Sequence, residues 1–159
     1  MKYMKSKLSL NNADGFTIVE ILVIILIIGI LSTILVLTYS GIQVRQRNNS
    51  RIADIKLIQS GLESYYTQGG YYPTVSDLNS QAWTTKNIKG IDPSTFQDPS
   101  AKTGNPRFSE FPTVNQYSYQ PTAANGISPC DNKTVACAKY TLTATLEGNS
   151  GTFSEKSLN

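Results

Sequence analysis

Residues 16–37 read FTIVEILVIILIIGILSTILVL, and no charged side chain interrupts them from Ile21 to Leu37. As a helix from Phe16 to Tyr39 the stretch is about 36 Å long, against a hydrocarbon core of about 30 Å, so it can span a bilayer. Lys2, Lys5 and Lys7 precede it, and a basic start predicts a cytoplasmic N-terminus with everything after Tyr39 exported. A secretory signal peptide shares the basic start, but its apolar region ends after roughly 7–15 residues at a small-residue cleavage site. This run is longer and passes into Leu37-Thr38-Tyr39-Ser40-Gly41 without such a site. A plain single-span anchor accounts for the lysines and the length, but not for Glu20. An ionisable residue in an apolar run is costly in lipid and marks a functional site whose partner has to be named. No Lys or Arg lies between Phe16 and Tyr39. A cut before Phe16 would create an α-amino cation at the same depth, on the same helical face within one chain and open to an identical neighbour shifted along the axis.

The residues Ala13-Asp14-Gly15-Phe16-Thr17-Ile18-Val19-Glu20-Ile21-Leu22 resemble the cleavage and methylation motif of type IV prepilins and type II secretion pseudopilins. The resemblance implies a leader of residues 1–15, a cut between Gly15 and Phe16 by a membrane aspartyl peptidase, and N-methylation of Phe16. It further implies that Glu20, the fifth residue after the cut, neutralises a neighbour's N-terminus during assembly. The implied partners are identical subunits in a helical filament, the prepilin peptidase and methyltransferase, an inner-membrane assembly platform, and the bilayer before assembly. The implied location is the bacterial cytoplasmic membrane with the head exported, then an extracellular or periplasmic filament. Many pilins carry a proline near the end of the apolar half; this chain has Leu37 there, with Gly29 and Gly41 as the glycines of that part of the helix.

From Ile42 to Tyr66 the pattern turns amphipathic: Ile52, Ile55, Ile58 and Leu62 recur at spacings of three and four, with Arg51, Asp54, Lys56 and Glu63 elsewhere. With Gly61 as the interior breaker, the helix is expected to continue to Gln68 and to end at Gly69-Gly70. The segment from Ala53 to Thr74 also resembles the helix end and Tyr-Pro-Thr loop of major pseudopilins and short pilins, with Tyr65, Tyr66, Tyr71 and Tyr72 packing over the helix end. Residues 75–115 are rich in Pro, Asp, Ser and Asn and read as a long surface loop with one short helix around Ser76 to Trp83. Tyr140, Leu142, Ala144 and Leu146 alternate with polar residues as a strand. Gly148 to Gly151 is a turn, Thr152 to Lys156 a partner strand, and Gln116 to Gln120 a third. The expected fold is α+β: a transmembrane and assembly helix over 16–39, an amphipathic half over 40–68, and a head over 69–159 whose small antiparallel sheet covers the helix stripe.

Composition narrows the function classes. Charged residues are 16% of the 159, and histidine is absent, which removes the commonest general base and metal ligand. Beyond the leader, 14 − 3 = 11 basic residues face 11 − 1 = 10 acidic ones. A nucleic-acid footprint needs a concentrated basic surface, and the cluster Arg45, Arg47 and Arg51 reads instead as a solvated or membrane-proximal helix face. Nucleic acid is therefore not among the expected partners. Cys130 and Cys137 lack C-x-x-C spacing and any further Cys or His to complete a metal shell, so a disulfide in an oxidising compartment is the better reading. No cofactor is expected. Asp92 and Asp98 are the candidates for a calcium site like that of the resembling pseudopilins, but their spacing matches no defined calcium loop, which favours solvated turn residues. A structural subunit of a type IV pilus or pseudopilus is the leading function, the alternative being the major pseudopilin of a secretion or DNA-uptake system. The competing class, a tethered enzyme or binding domain, finds no nucleophile elbow and no phosphate loop.

Overall fold

The computed structural model describes residues 15–148 and 150–159; the side chains of 35–38 and 40 are outside that description. Leader residues 1–14 therefore lie outside the described residues. The chain divides into two compact units that meet between Ser40 and Gly41.

Helix α1 runs Ile18–Gly69 as one element. It contains no proline, and its end is set by Gly70, which takes the left-handed conformation (φ 71°) and donates its N–H to the Tyr66 carbonyl at 2.7 Å. In the first unit the described apolar side chains of α1 stop at Ile34, a length of about 25 Å from Ile18. Among the described residues no helix is long and apolar enough to cross a membrane; the span expected over 16–39 draws on side chains beyond that description.

In the second unit α1 presents Arg51, Ile55, Ile58 and Leu62 to the core at spacings of four, three and four, each fully buried. The single buried stripe reflects the 3.6-residue period. Gly61 sits beside it because nothing larger fits: a Cβ there would lie 2.6 Å from both Ile88 Cγ2 and Ile91 Cδ1.

After the helix, Tyr72 donates its backbone N–H to the Cys137 carbonyl at 2.7 Å. Thr74 then caps α2 (Val75–Asn79) through a reciprocal bond with Asp77. The one short helix expected around Ser76 to Trp83 is two. Ser80 is extended (φ −87°, ψ 110°); it closes α2 and caps α3 (Gln81–Asn87) by accepting the Trp83 N–H. The surface loop expected over the rest of 75–115 is corrected as well. A 3₁₀ turn at Pro93–Phe96 is capped by Asp92, and Ile88, Phe96, Asp98 and Phe108 are buried. Phe96 meets Phe108 edge-on with centroids 6.4 Å apart, so the segment is pinned by its aromatics.

Four strands follow: β1 (Phe108–Ser109), β2 (Tyr117–Thr122), β3 (Lys139–Thr145) and β4 (Thr152–Lys156), ordered β1-β2-β3-β4. β2–β3 and β3–β4 are antiparallel, with Tyr119 opposite Leu142 and Ala144 opposite Phe153. The sheet is mixed rather than antiparallel, because β1 runs parallel to β2 and covers only Tyr117 and Ser118. The chain reverses within the loop 110–116, helped by Asn115 in the left-handed region (φ 61°). Tyr117, Tyr119, Tyr140, Leu142 and Ala144 point inward and join the helix stripe in one core. The inner face is largely tyrosine, and its hydroxyls reach the polar flank of α1: Tyr117 donates to Asp54 at 2.7 Å, and Tyr140 and Tyr72 each donate to Glu63 at 2.8 Å.

Candidate assembly site

Thr17 opens α1: its carbonyl accepts the Ile21 N–H and its hydroxyl accepts the Glu20 N–H, both at 3.2 Å. These bonds make Thr17 the N-cap and put Glu20 at the third helical position, where a carboxylate faces the positive end of the helix dipole. Glu20 is exposed, and among the described residues its carboxylate makes no ion pair. Gly15 and Phe16 precede the helix. A Cβ at Gly15 would meet nothing within 4 Å among the described residues.

From Ile18 to Ile34 the described side chains of the helix are apolar on every side apart from Glu20, Ser32 and Thr33. Ile18 and Val19, then all the large side chains from Ile21 to Ile28 and Ile30, Leu31 and Ile34, are exposed, Ile18 at 84% and Ile24, the least, at 40%. A helix apolar all round is one that some other phase or chain must cover. Its polar interruption at Thr33 is internally satisfied, the hydroxyl donating to the Gly29 carbonyl at 2.9 Å.

In the head, the expectation of a solvated arginine face is corrected by Arg51. Its guanidinium is fully buried and donates to Asp98 Oδ2 at 2.7 Å and Oδ1 at 3.0 Å, to Asn48 Oδ1 at 3.0 Å and to Ser100 Oγ at 3.2 Å. It also pairs with Glu147 at 2.8 Å, and Arg47 grips the same carboxylate. Hydrogen bonding from Arg47, with the Arg51 charge behind it, holds the Glu147 carboxyl down at about 2. Asn48 clips the backbone of Glu147 through both its amide atoms. Asp98 is thus not a solvated turn residue: the cation it holds is a guanidinium. Asp92 does a different task, accepting from Ser94 at the start of the 3₁₀ turn. Among the described residues no cluster of three His, Cys, Asp or Glu is arranged to hold a metal ion.

The signal that could have found Arg51 is its position. It falls on the same helical stripe as Ile55, Ile58 and Leu62, where a cation requires a buried carboxylate. Cys130 and Cys137 are bridged, with Cα atoms 5.1 Å apart. Within the bridged loop, Asn132 (φ 57°) accepts from the Cys137 N–H and donates to the Tyr72 carbonyl, both at 2.7 Å, tying the loop to the helix end. The tyrosines expected to pack there do so: Tyr66 stacks on Tyr72 at 4.5 Å and Tyr65 meets Tyr71 edge-on at 5.8 Å.

A family model described as the prokaryotic N-terminal methylation motif matches residues 10–36. Among curated proteins, the chain is similar to type II secretion system core protein G of several bacteria. The Vibrio cholerae protein is 28% identical over 90% of this chain and 89% of its own length. That of Klebsiella michiganensis is 35% identical over 45% and 50%, and that of Aeromonas hydrophila 27% identical over 54% and 59%. The chain spans about half the length of most of these relatives, the Vibrio cholerae protein excepted. No solved structure matches. A capped apolar helix that begins on the methylation motif, followed by a head in which that helix packs on a small sheet, accompanies these likenesses: the chain carries the N-terminal methylation motif and is similar to type II secretion system core protein G.

Proposed function

We propose that the chain is a structural subunit of a pseudopilus-like filament. A prepilin peptidase cuts it between Gly15 and Phe16 and methylates Phe16. It waits in the cytoplasmic membrane with the head exported, and it polymerises through α1 into a periplasmic or extracellular filament. The observation that carries this reading is the first turn of α1, where a carboxylate that makes no ion pair among the described residues stands at the head of an exposed apolar stretch, five residues after Gly15, where an added Cβ would meet nothing within 4 Å. In lipid, and later in a dry bundle of identical helices, the span is at home and Glu20 is tolerated only when paired. The amine created at Phe16 of a neighbouring copy is the cation of matching depth. The role is structural, with no reaction of its own, and the partners are the processing enzyme, the membrane assembly platform and other copies. The similarity to type II secretion system core protein G favours a secretion machine over an adhesive pilus.

Intact-mass measurement of the protein purified from membranes tests this. The expected result is loss of residues 1–15 and gain of one methyl group. A full-length chain from cells with an active prepilin peptidase overturns the reading. Glu20→Gln is expected to leave processing intact and to abolish filaments; filaments at wild-type yield would remove Glu20 from the mechanism.

A further inference from the structure

Most ionisable groups that the head buries, wholly or partly, have been given partners. Arg47 and Arg51 meet carboxylates. Asp54 accepts from Tyr117, Glu63 from two tyrosines, and Asp77 from Thr74. Two half-buried groups stand apart. Arg107 makes one side-chain hydrogen bond, to the neutral hydroxyl of Thr84 at 3.2 Å, and burial without a neighbouring anion lowers its pKa. Among the described residues the Glu155 carboxylate has neither an ion pair nor a hydrogen bond, and Lys56, on the same side of the sheet, lies over the Phe153 ring at 5.8 Å.

Their places in the sheet explain why they do not meet. Arg107 leads into β1, the first strand in the sheet order, and Glu155 lies on β4, the last. Three strand spacings of about 4.8 Å put these edges roughly 14 Å apart. One chain therefore carries an unmatched cation at one edge and an unmatched anion at the other.

We propose that Arg107 of one copy pairs with Glu155 of the next, so that neighbouring heads join by opposite edges of their sheets. The occupant of each half-site is thus a second copy of this chain, selected by charge complementarity. A contact between two different patches of the same molecule is heterologous, and when its rotation does not close it generates an open helical filament rather than a ring or a two-fold dimer. The pairing rests on the filament reading above and adds to it the contact between heads. Close interfacial charge pairs act mainly on register and dissociation, and truncating or reversing one partner leaves the other unpaired.

The test is charge reversal in the full-length chain, expressed with its own assembly machinery, with sheared filament yield as the readout. Membrane levels and an oxidised Cys130–Cys137 bridge serve as the check on folding. Arg107→Glu and Glu155→Arg alone are each expected to lower filament yield by about tenfold, and the double reversal to return it to within about twofold of wild type. Single reversals without effect overturn the pairing, and so does a correctly oxidised double variant as defective as the singles, since Arg107 or Glu155 then meets something else. Either failure leaves the filament reading standing, because wild-type filaments still form. Absence of filaments from the processed wild-type chain overturns both readings.

Discussion

Asp98→Asn isolates the buried arginine. The substitution keeps the size of the side chain and removes the charge that receives two of the Arg51 bonds, at 2.7 and 3.0 Å. Both side chains are essentially inaccessible, 0% and 1% exposed, so solvent cannot replace what is lost. Breaking a buried pair by removing one partner costs about 3–5 kcal/mol. Glu147 stays within 2.8 Å of Arg51 and supplies part of the compensation, which puts the expected loss at the lower end, about 3 kcal/mol. With a urea slope of ~1.5 kcal/mol/M this lowers the unfolding midpoint by about 2 M. The assay is urea unfolding of the chain in mild detergent, followed by the fluorescence of Trp83, the single tryptophan, which packs 5.2 Å from Tyr65. Replacing both partners, as Arg51→Met with Asp98→Leu, removes the desolvation cost together with the attraction and is expected to recover most of the stability. An Asp98→Asn midpoint within about 0.5 M of wild type, a loss of less than about 1 kcal/mol, would refute the claim that this pair holds the 97–100 segment to α1.

The remaining expectations are more local. The Glu147 carboxyl sits at about 2 when folded, below its ordinary 4.5. A depressed folded value means stabilisation that is complete above the unfolded pKa and lost as pH falls from about 4.5 toward about 2. Burial raises Asp54, so its protonation in acid favours the folded state and offsets part of that loss; unfolding midpoints at pH 6, 4 and 2.5 should decline for wild type and flatten for Glu147→Gln. Reducing the Cys130–Cys137 bridge, which closes a loop with a sequence separation of 7, should cost about 2 kcal/mol. It should also speed hydrogen exchange at the Tyr72 N–H, whose acceptor is the Cys137 carbonyl; unchanged exchange there would mean that the bridge does not hold this contact. Gly61→Leu should lower stability by more than Gly61→Ala. Both add atoms against Ile88 and Ile91, but the alanine recovers up to about 1 kcal/mol of helix propensity against an overpacking cost of about 1–3 kcal/mol. Thermal melts that rank the two variants the other way would show that the 88–91 segment yields freely.

The helix and β3 were legible because their signals are periodic, 3.6 for Ile55, Ile58 and Leu62 and two for Tyr140, Leu142 and Ala144; β2 and β4 were placed as the partners of β3. The turn between β3 and β4 was legible from its glycines, and Gly148 and Gly151 both take positive φ (70° and 73°). What lies between 75 and 115 was not, since its order comes from long-range packing of single residues. Phe96 and Phe108 are isolated in the sequence and become core only when they face each other and Tyr117 and Tyr119. The parallel β1 is two residues long, too short to carry any period. Arg51 could have been read from its register on the stripe, but its partners at Asp98 and Glu147 are 47 and 96 positions away, and no local rule joins them. At the start of α1 the sequence singled out Glu20 as an ionisable residue in an apolar run, although its bond to Thr17 is equally local. The Thr17 cap still went unnoticed, the glutamate having drawn attention only as a charge.

The shortness of β1 also bears on how such a protein avoids sticking to itself in the wrong way. A chain with a tyrosine-rich sheet and exposed sheet edges is at risk of adding strands edge to edge, the route to aggregates. On the side that β1 leaves open, β2 carries Pro121, which brings no N–H with which an incoming strand could pair. At the far side β4 ends in Glu155 and Lys156, charges of the kind that blunt an exposed edge. The backbone of the sheet is closed to further growth at both rims, so assembly is left to helices and side chains, contacts that can be made in one register and taken apart again.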